Sequence, residues 1–299
     1  MKLPTVVRFG VLVSCVIGML GASSAVRAAD LPESMTLSPT EKHIVIGQGE
    51  TKNDSFIILN DGQVPYDFTV YGGPYSVKGE EYAQDFTTET ANSDAYKWIQ
   101  FEKTTWHLEP GKKAVVPFTI RVGTNVPAGG HYGVIFIEQQ IIDTQVAGNK
   151  IERKKRLGLL LHVNVGGVTN VQAEIKNIGI VGYQPSAPLT ATARVSSSGT
   201  TDFKAGVTIA VMDVFGNVRY QAKNEYTILP NTTRLIEMNW PNSPWFGLYK
   251  VHMDVGVPGD SKAQESYVVI APRWLLFIAG LVVLLGAASV IRRKQTHRR

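Results

Sequence analysis

The stretch Pro127-Ala-Gly-Gly-His-Tyr132, which continues as Gly-Val-Ile-Phe136, decides the fold class. A Pro-Gly turn leads into a run of alternating and β-branched residues, the pattern of a strand entered from a tight corner. Pro244-Trp-Phe-Gly-Leu-Tyr249 repeats this pattern 117 residues later. A repeat of this length predicts two related domains in tandem.

The two tyrosines of the repeat have a predicted structural role. In β-sandwiches a tyrosine at the start of a late strand bonds through its hydroxyl to the preceding corner. Tyr132 and Tyr249 occupy that position, and each has a glycine two residues earlier. Because glycine lets the chain turn tightly, we expect both tyrosines to be structural corner residues.

The sequence around the repeat is rich in short strands. Alternating or β-branched runs recur between Gly, Pro, Asn and Asp turns, and no stretch before Trp274 has a convincing helical period. We therefore predict an all-β fold of two tandem Ig-like β-sandwiches, at 29–165 and 166–271. The boundary is expected near Gly166-Gly167, where a Gly-Gly pair permits some flexing.

Two hydrophobic segments bracket these domains. Residues 1–28 combine Lys2 and Arg8 with a short apolar run and small residues, which predicts a signal peptide. Cys15 follows Leu-Val-Ser, so a lipobox is an alternative interpretation of that segment. Residues 272–291 contain an apolar run, Trp274–Ile291, long enough for a transmembrane helix, and the basic tail 292–299 predicts a cytoplasmic C-terminus. Both ends together predict a single-pass membrane protein with an external ectodomain.

The net charge of +5 is misleading. Of the 30 Lys and Arg residues, eight lie in the two end segments, which leaves 22 against 25 acidic residues. The ectodomain is therefore slightly acidic, and nucleic acid is not an expected partner. The only cysteine, Cys15, lies in the predicted signal peptide, so the domains must be stabilised by their cores without disulfides.

Several segments of the first domain carry a resemblance to a known family. Trp98-Ile-Gln-Phe101, Leu108-Glu-Pro-Gly111, Val116–Val122 and Pro127–Phe136 resemble the N-terminal domain of WxL-interacting proteins, which are surface proteins of Gram-positive bacteria. The order of signal peptide, two sandwiches, one membrane helix and a basic tail is similar too. The resemblance implies peptidoglycan binding by the first domain and binding of another surface or host protein by the second.

The segment from Tyr75 to Trp98 is the least strand-like part of the chain. Its acidic residues alternate with five aromatic ones: Tyr75, Tyr82, Phe86, Tyr96 and Trp98. Exposed aromatic rings stack on sugars, so these residues are a candidate glycan-facing loop. The alternative is a long loop whose aromatic side chains pack back against the sandwich.

A basic segment follows a Gly-Asn turn signal. It contains five cationic residues: Lys150, Arg153, Lys154, Lys155 and Arg156. They are a candidate polyanion patch, for teichoic acid or the membrane surface. The alternative is that lysines protect an exposed strand edge from pairing with another chain.

No catalytic or metal-binding pattern stands out in the sequence. His43, His107, His131, His162 and His252 lack metal-ligand spacing, and no nucleophile elbow or phosphate loop occurs. We therefore predict no enzyme activity, no cofactor and no metal site.

The sequence favours a membrane-anchored bacterial binding or scaffold protein that attaches to the cell wall or to another surface component. One alternative is a chaperone-like Ig-domain protein that assists secreted subunits by strand donation, which would require an accessible apolar edge strand. A second alternative is an unrecognised envelope enzyme.

Overall fold

The computed structural model describes residues 34–140, 142–146, 149–153, 155–275, 277–278, 280–281 and 284–286. The predicted signal peptide (1–28) and basic tail (292–299) lie outside these residues. The described chain is all-β, apart from one 3₁₀ turn at Ala95–Trp98 and helical residues after position 272.

The first sandwich contains thirteen strands: β1 (Met35–Ser38), β2 (Glu41–Ile46), β3 (Thr51–Asn60), β4 (Tyr66–Pro74), β5 (Ser76–Lys78), β6 (Ala83–Asp85), β7 (Ile99–Gln100), β8 (Thr105–Leu108), β9 (Lys113–Arg121), β10 (Gly129–Gln139), β11 (Ile142–Val146), β12 (Asn149–Arg153) and β13 (Arg156–Val165). One sheet has the order β1-β3-β9-β7 and the facing sheet β2-β13-β10-β4-β8. All pairs are antiparallel except β2 with β13. The first part of the chain therefore pairs with one sheet through β1 and with the other through β2.

The second sandwich contains eight strands: β14 (Ala173–Ile180), β15 (Tyr183–Gln184), β16 (Leu189–Ser197), β17 (Phe203–Asp213), β18 (Val218–Ile228), β19 (Thr233–Trp240), β20 (Gly247–Val257) and β21 (Asp260–Ile270). Its sheets have the orders β14-β16-β19 and β15-β21-β20-β17-β18. Two sandwiches in one chain confirm the predicted all-β class.

Alternating apolar residues account for the two cores. In β9, Val116, Phe118 and Ile120 are buried, and the residues between them face outwards. In β17, Val207 and Ile209 do the same. Because side chains alternate between the faces of a strand, each sheet presents one apolar face, and each large apolar side chain buried there contributes about 1.5–3 kcal/mol.

A third apolar cluster lies on the outer face of the β13–β10–β4 sheet. It contains Tyr75, Tyr132, Val134 and Phe136 from the first sandwich and Leu229 from the second. Both sandwiches therefore bury apolar surface against each other, and the junction is a packed interface.

The segment after β21 tests the predicted membrane anchor. Within the part of the chain that the structure describes, no helix has the length and apolar character needed to cross a membrane. The predicted anchor at Trp274–Ile291 is not confirmed by the described residues, and part of that segment lies outside them.

Candidate functional site

A cleft lies between the two sandwiches. A cavity of about 250 Å³ is bordered by Tyr75, Tyr82 and His162 from the first sandwich and by Leu229 and Arg234 from the second. Strands β2 and β13 form one wall, and the turn between β18 and β19 forms the other. Both domains therefore contribute to one site.

Aromatic residues of the candidate glycan loop form part of this interface. Tyr75 is buried and stacks on Phe86 with 5.9 Å between ring centroids. Burial raises the pKa of the Tyr75 hydroxyl to about 12. The Tyr82 hydroxyl bonds to the Thr232 hydroxyl and accepts a hydrogen bond from the Leu229 amide at 2.8 Å. The hydrogen bonds of Tyr82 therefore tie the β5–β6 hairpin to the second sandwich.

The other two aromatic residues of that set lie at the 3₁₀ turn. The Tyr96 hydroxyl donates to the Glu89 carboxylate at 2.5 Å, and Trp98 packs against His131 with 4.9 Å between centroids. All five side chains of the candidate loop are buried or half-buried. They lie at two places, Tyr75, Tyr82 and Phe86 around the β5–β6 hairpin and Tyr96 and Trp98 at the 3₁₀ turn.

A cluster of two carboxylates and two histidines lies at the wall of the cleft. Glu41 and His43 alternate on β2, and His162 lies opposite His43 in the parallel β2–β13 register. Asp202 enters the cluster from the second sandwich, where its carboxylate lies 3.3 Å from His162 Nδ1. The Tyr132 hydroxyl donates to the other Asp202 oxygen at 3.0 Å.

Electrostatics in this cluster favour the ionised aspartate. Burial of the Asp202 carboxyl opposes ionisation, but hydrogen bonds from His162 and Tyr132 outweigh it, and the pKa of Asp202 is lowered from 3.8. Burial and the neighbouring Asp202 charge raise the pKa of the Tyr132 hydroxyl. The tyrosine therefore stays a neutral donor and the aspartate a charged acceptor across the domain interface.

The corner tyrosines have different environments. Tyr132 reaches Asp202 with its hydroxyl, and a side chain on Gly130 would collide with that hydroxyl. Tyr249 packs edge-on against Trp240 with 5.3 Å between centroids. Gly247 has a φ of +153°, and a Cβ there would lie 2.6 Å from the Tyr249 ring. Close contact with a tyrosine ring thus requires glycine at both corners.

Two of the candidate polyanion residues lie in the β11–β12 hairpin. Lys150 and Arg153 belong to β12, which pairs with β11 as a separate ribbon. Lys155 precedes β13, and Lys154 lies outside the described residues. The Arg156 guanidinium stacks over Phe136, 4.4 Å from the ring centroid.

Strand β13 has an open edge where it leaves this hairpin. Its pairing with β2 runs from Leu160 to Val165, whereas its pairing with β10 already begins at Arg156. Among the described residues, no strand pairs with the outer edge of Arg156–Leu159. A cavity of about 420 Å³ adjoins this edge and is bordered by Phe86, Phe136 and Leu160.

Two features of the site were not predicted from the sequence. Glu41 and His43 are far from His162 and Asp202 in the chain. Their cluster therefore depends on the register of β2 with β13 and on the packing of the two domains. The alternation of Glu41 and His43 was a visible signal, because residues two apart on a strand share a face. The open edge of β13 depends on where β2 begins, which the sequence pattern does not indicate.

No protein-family model matches this chain, and no curated protein matches it in sequence. Solved structures do match in part. The Salmonella enterica SafA pilin–SafB chaperone complex matches at 11% identity and a TM-score of 0.42, over 81% of this chain and 98% of that chain. The E. coli chaperone DraB matches at 13% identity and a TM-score of 0.40, over 78% and 98%. The class 5 fimbriae chaperone CfaA matches at 12% identity and a TM-score of 0.39, over 80% and 100%.

These comparisons correct four predictions. The structural neighbours are pilus chaperones, and the expected membership of the WxL-interacting family is wrong. The predicted membrane-anchored cell-wall binding function is contradicted as well, together with the predicted peptidoglycan, teichoic acid and membrane partners. The predicted surface location is contradicted. With TM-scores below 0.5, the likeness itself does not assign a function to this chain, so any proposal must rest on its own geometry.

Proposed function

We propose that this protein is a chaperone-like protein that binds an extended segment of a secreted subunit as an added strand on β13. The observation that carries the proposal is the open outer edge of Arg156–Leu159. In strand addition, main-chain hydrogen bonds supply affinity and pockets for alternate side chains supply specificity. The mechanism is binding without a chemical step.

The direction of the peptide groups supports this edge as a template. The Leu160 amide donates outwards to the Thr40 carbonyl at 3.0 Å. Because peptide groups alternate in direction along a strand, Arg156 and Gly158 also turn their N–H and C=O groups away from β10. An incoming strand could pair with the N–H and C=O groups of both residues, in line with the bonds that β13 makes to β2.

The neighbouring cavity supports recognition of an apolar side chain. Phe86, Phe136 and Leu160 line it, and the Arg156 guanidinium covers the Phe136 ring. Gly158 lies between them at the edge and adds no side chain of its own. An apolar residue of the added strand would bury its surface here at roughly 25 cal/mol per Å².

Other sheet edges are less suited to this role. Strand β18 is an edge strand of the second sandwich, and its exposed positions include Arg219, Lys223 and Glu225. Charged side chains on an edge discourage pairing with another chain. Strand β13 instead continues from Arg156 into Leu157-Gly158-Leu159, which is apolar.

Site-specific photocrosslinking in the producing cell tests this proposal. A photoreactive amino acid at Arg156 should form a covalent product with a secreted protein, and the attachment point should map to a segment of alternating apolar residues. Thr105, on the exposed edge of β8, is the control position. Products that are identical at both positions, or that map to folded surface loops of the captured protein, would refute strand addition.

Proline substitutions provide the matched variants. Gly158→Pro removes an outward N–H without removing a hydrogen bond to β10, because Gly158 faces Phe136 in a pair whose N–H groups point outwards. Thr105→Pro makes the same change on the edge of β8. With the photoreactive residue at Arg156, the first variant should lose most of the crosslinked product and the second should keep it. Circular dichroism confirms that both variants are folded.

A further inference from the structure

We propose that Glu41, His43 and His162 bind one zinc ion at the wall of the interdomain cleft, and that Asp202 orients His162. This site goes beyond the proposed strand-binding function, because its three ligands lie outside the open edge Arg156–Leu159, although Glu41 also borders the cavity beside that edge. The three ligand atoms already lie within 4.8 Å of one another. One glutamate and two histidines form a known ligand set for zinc, with the fourth position left for water or another ligand.

Backbone geometry brings the three ligands to one face. Glu41 and His43 are two residues apart on β2, so their side chains project on the same side of the sheet. His162 lies directly opposite His43 in the β2–β13 register, and the two rings are 4.6 Å apart between centroids. Two strands held by their own hydrogen bonds therefore position all three side chains.

The distances between the ligand atoms require only small side-chain movements for a zinc ion to bind. Glu41 Oε1 lies 2.5 Å from His43 Nε2 and 3.7 Å from His162 Nε2. Ligand atoms about 2.0–2.1 Å from a tetrahedral zinc ion are separated by about 3.3 Å. The first pair would open by under 1 Å and the second would close by about half of that. Side-chain rotation of the half-exposed His43 and Glu41 can supply both movements.

Metal-binding histidines commonly donate a hydrogen bond from their other ring nitrogen to a carboxylate, and Asp202 supplies that carboxylate for His162. Its Oδ2 atom lies 3.3 Å from His162 Nδ1, within hydrogen-bond distance, so it can hold the His162 ring with Nε2 towards Glu41. His43 Nδ1 is farther from the same atom, at 4.0 Å. The Tyr132 hydroxyl fixes the Asp202 carboxylate from the other oxygen. A carboxylate behind a ligating histidine sets its tautomer and its orientation.

Charge balance favours a dication at this position. Glu41 and Asp202 bring two negative charges to two imidazoles that are neutral when they ligate a metal. The one cationic side chain among the described residues that border the same cavity is Arg234. Its guanidinium stacks over Tyr82 and Tyr226, 4.5 and 5.0 Å from their ring centroids, and donates to the Thr227 carbonyl. It is therefore held by the second sandwich.

Zinc titration by calorimetry on the purified full-length chain tests the site. We expect one zinc ion per chain. His43→Gln and Glu41→Gln should each weaken zinc binding by tenfold or more, and Asp202→Asn by about 10–100-fold. All three leave the buried His162 in place, and circular dichroism verifies their fold.

His252→Gln is the matched control. His252 also contacts two carboxylates, Asp254 at 2.6 Å and Glu265 at 3.0 Å, but no second histidine belongs to that group. The control should bind zinc as tightly as the unaltered chain. Absence of zinc binding, or equal loss in His252→Gln and His43→Gln, would overturn the proposal. Gly158→Pro should leave zinc affinity unchanged, so the zinc site and the strand-binding edge can fail independently.

Discussion

Replacing Asp202 with alanine should weaken the domain interface and the stability of the whole chain. Asp202 is half-buried and accepts hydrogen bonds from the Tyr132 hydroxyl at 3.0 Å and from His162 Nδ1 at 3.3 Å. Both partners are themselves buried, at 3% and 4% exposure. Leaving a buried polar group without its partner costs about 1–3 kcal/mol, so the two orphaned groups predict a loss of about 2–6 kcal/mol in the free energy of unfolding.

Urea unfolding followed by tryptophan fluorescence, in a buffer with a metal chelator, measures this loss. Asp254→Ala is the control, because Asp254 is 54% exposed and its ion pair with His252 lies at the surface. Exposed pairs contribute about 0–1 kcal/mol. A loss in Asp202→Ala that does not exceed the loss in Asp254→Ala would refute the argument that the Asp202 carboxylate joins the two domains.

The pH dependence of this difference has a defined sign. The pKa of Asp202 in the folded protein lies below its usual value of 3.8, so the folded state favours the ionised carboxylate. Its contribution to stability is therefore complete above about pH 4 and is lost as the pH falls through the folded-state pKa. The gap in unfolding free energy between the unaltered chain and Asp202→Ala should shrink in acid. A gap that widens below pH 4 would contradict the assignment.

Two further substitutions test the packing of the first sandwich and of the junction. Ile58→Ala should lower the free energy of unfolding by about 2–5 kcal/mol because Ile58 is fully buried. Ile57→Ala, at 37% exposure on the same strand, should lower it clearly less. Equal urea midpoints for the two variants would contradict the inferred core face. Gly129→Ala should destabilise the chain by more than Gly111→Ala in thermal unfolding. Gly129 has a φ of +135° and its Cβ would lie 2.5 Å from the Thr200 carbonyl oxygen, whereas Gly111 has a φ of +68° and open space around it. The reverse order would show that the sandwiches do not approach each other at Gly129.

Local patterns in the sequence predicted the strands well. Alternation over Ala114–Val122 predicts a strand that the structure has at Lys113–Arg121, and the Gly247–Val255 pattern matches β20 at Gly247–Val257. In both cases one face of the strand is buried in a core, so burial imposes a period of two on the sequence. The all-β class follows from such segments.

Long-range arrangement could not be predicted in the same way. The Tyr75–Trp98 segment is the least strand-like by pattern, yet it contains β5, β6 and the 3₁₀ turn, and Tyr82 bonds to the second domain. The contact between His43 and His162 depends on a parallel register between strands that are distant in the chain. Neither composition nor periodicity encodes such a register, so the cluster and the open edge became visible only in the fold.

The membrane location was predicted from composition alone. The apolar run Trp274–Ile291 is long enough to span a bilayer, but the described residues contain no helix of that length and apolar character. Resemblance over Trp98–Phe136 similarly rested on Pro-Gly turns and alternating strands, which many Ig-like sandwiches share. Such motifs indicate the turns and strands of the fold but do not indicate the function of the protein.

Amide hydrogen exchange on the complex with the crosslinked subunit segment, prepared as a synthetic peptide, tests strand addition most directly. The account predicts slowed exchange at the amides of Arg156 and Gly158, with no change along the edge of β8 at Thr105–Leu108. Bound peptide that leaves the Arg156 and Gly158 amides exchanging at their free rates would contradict the claim that β13 accepts a partner strand.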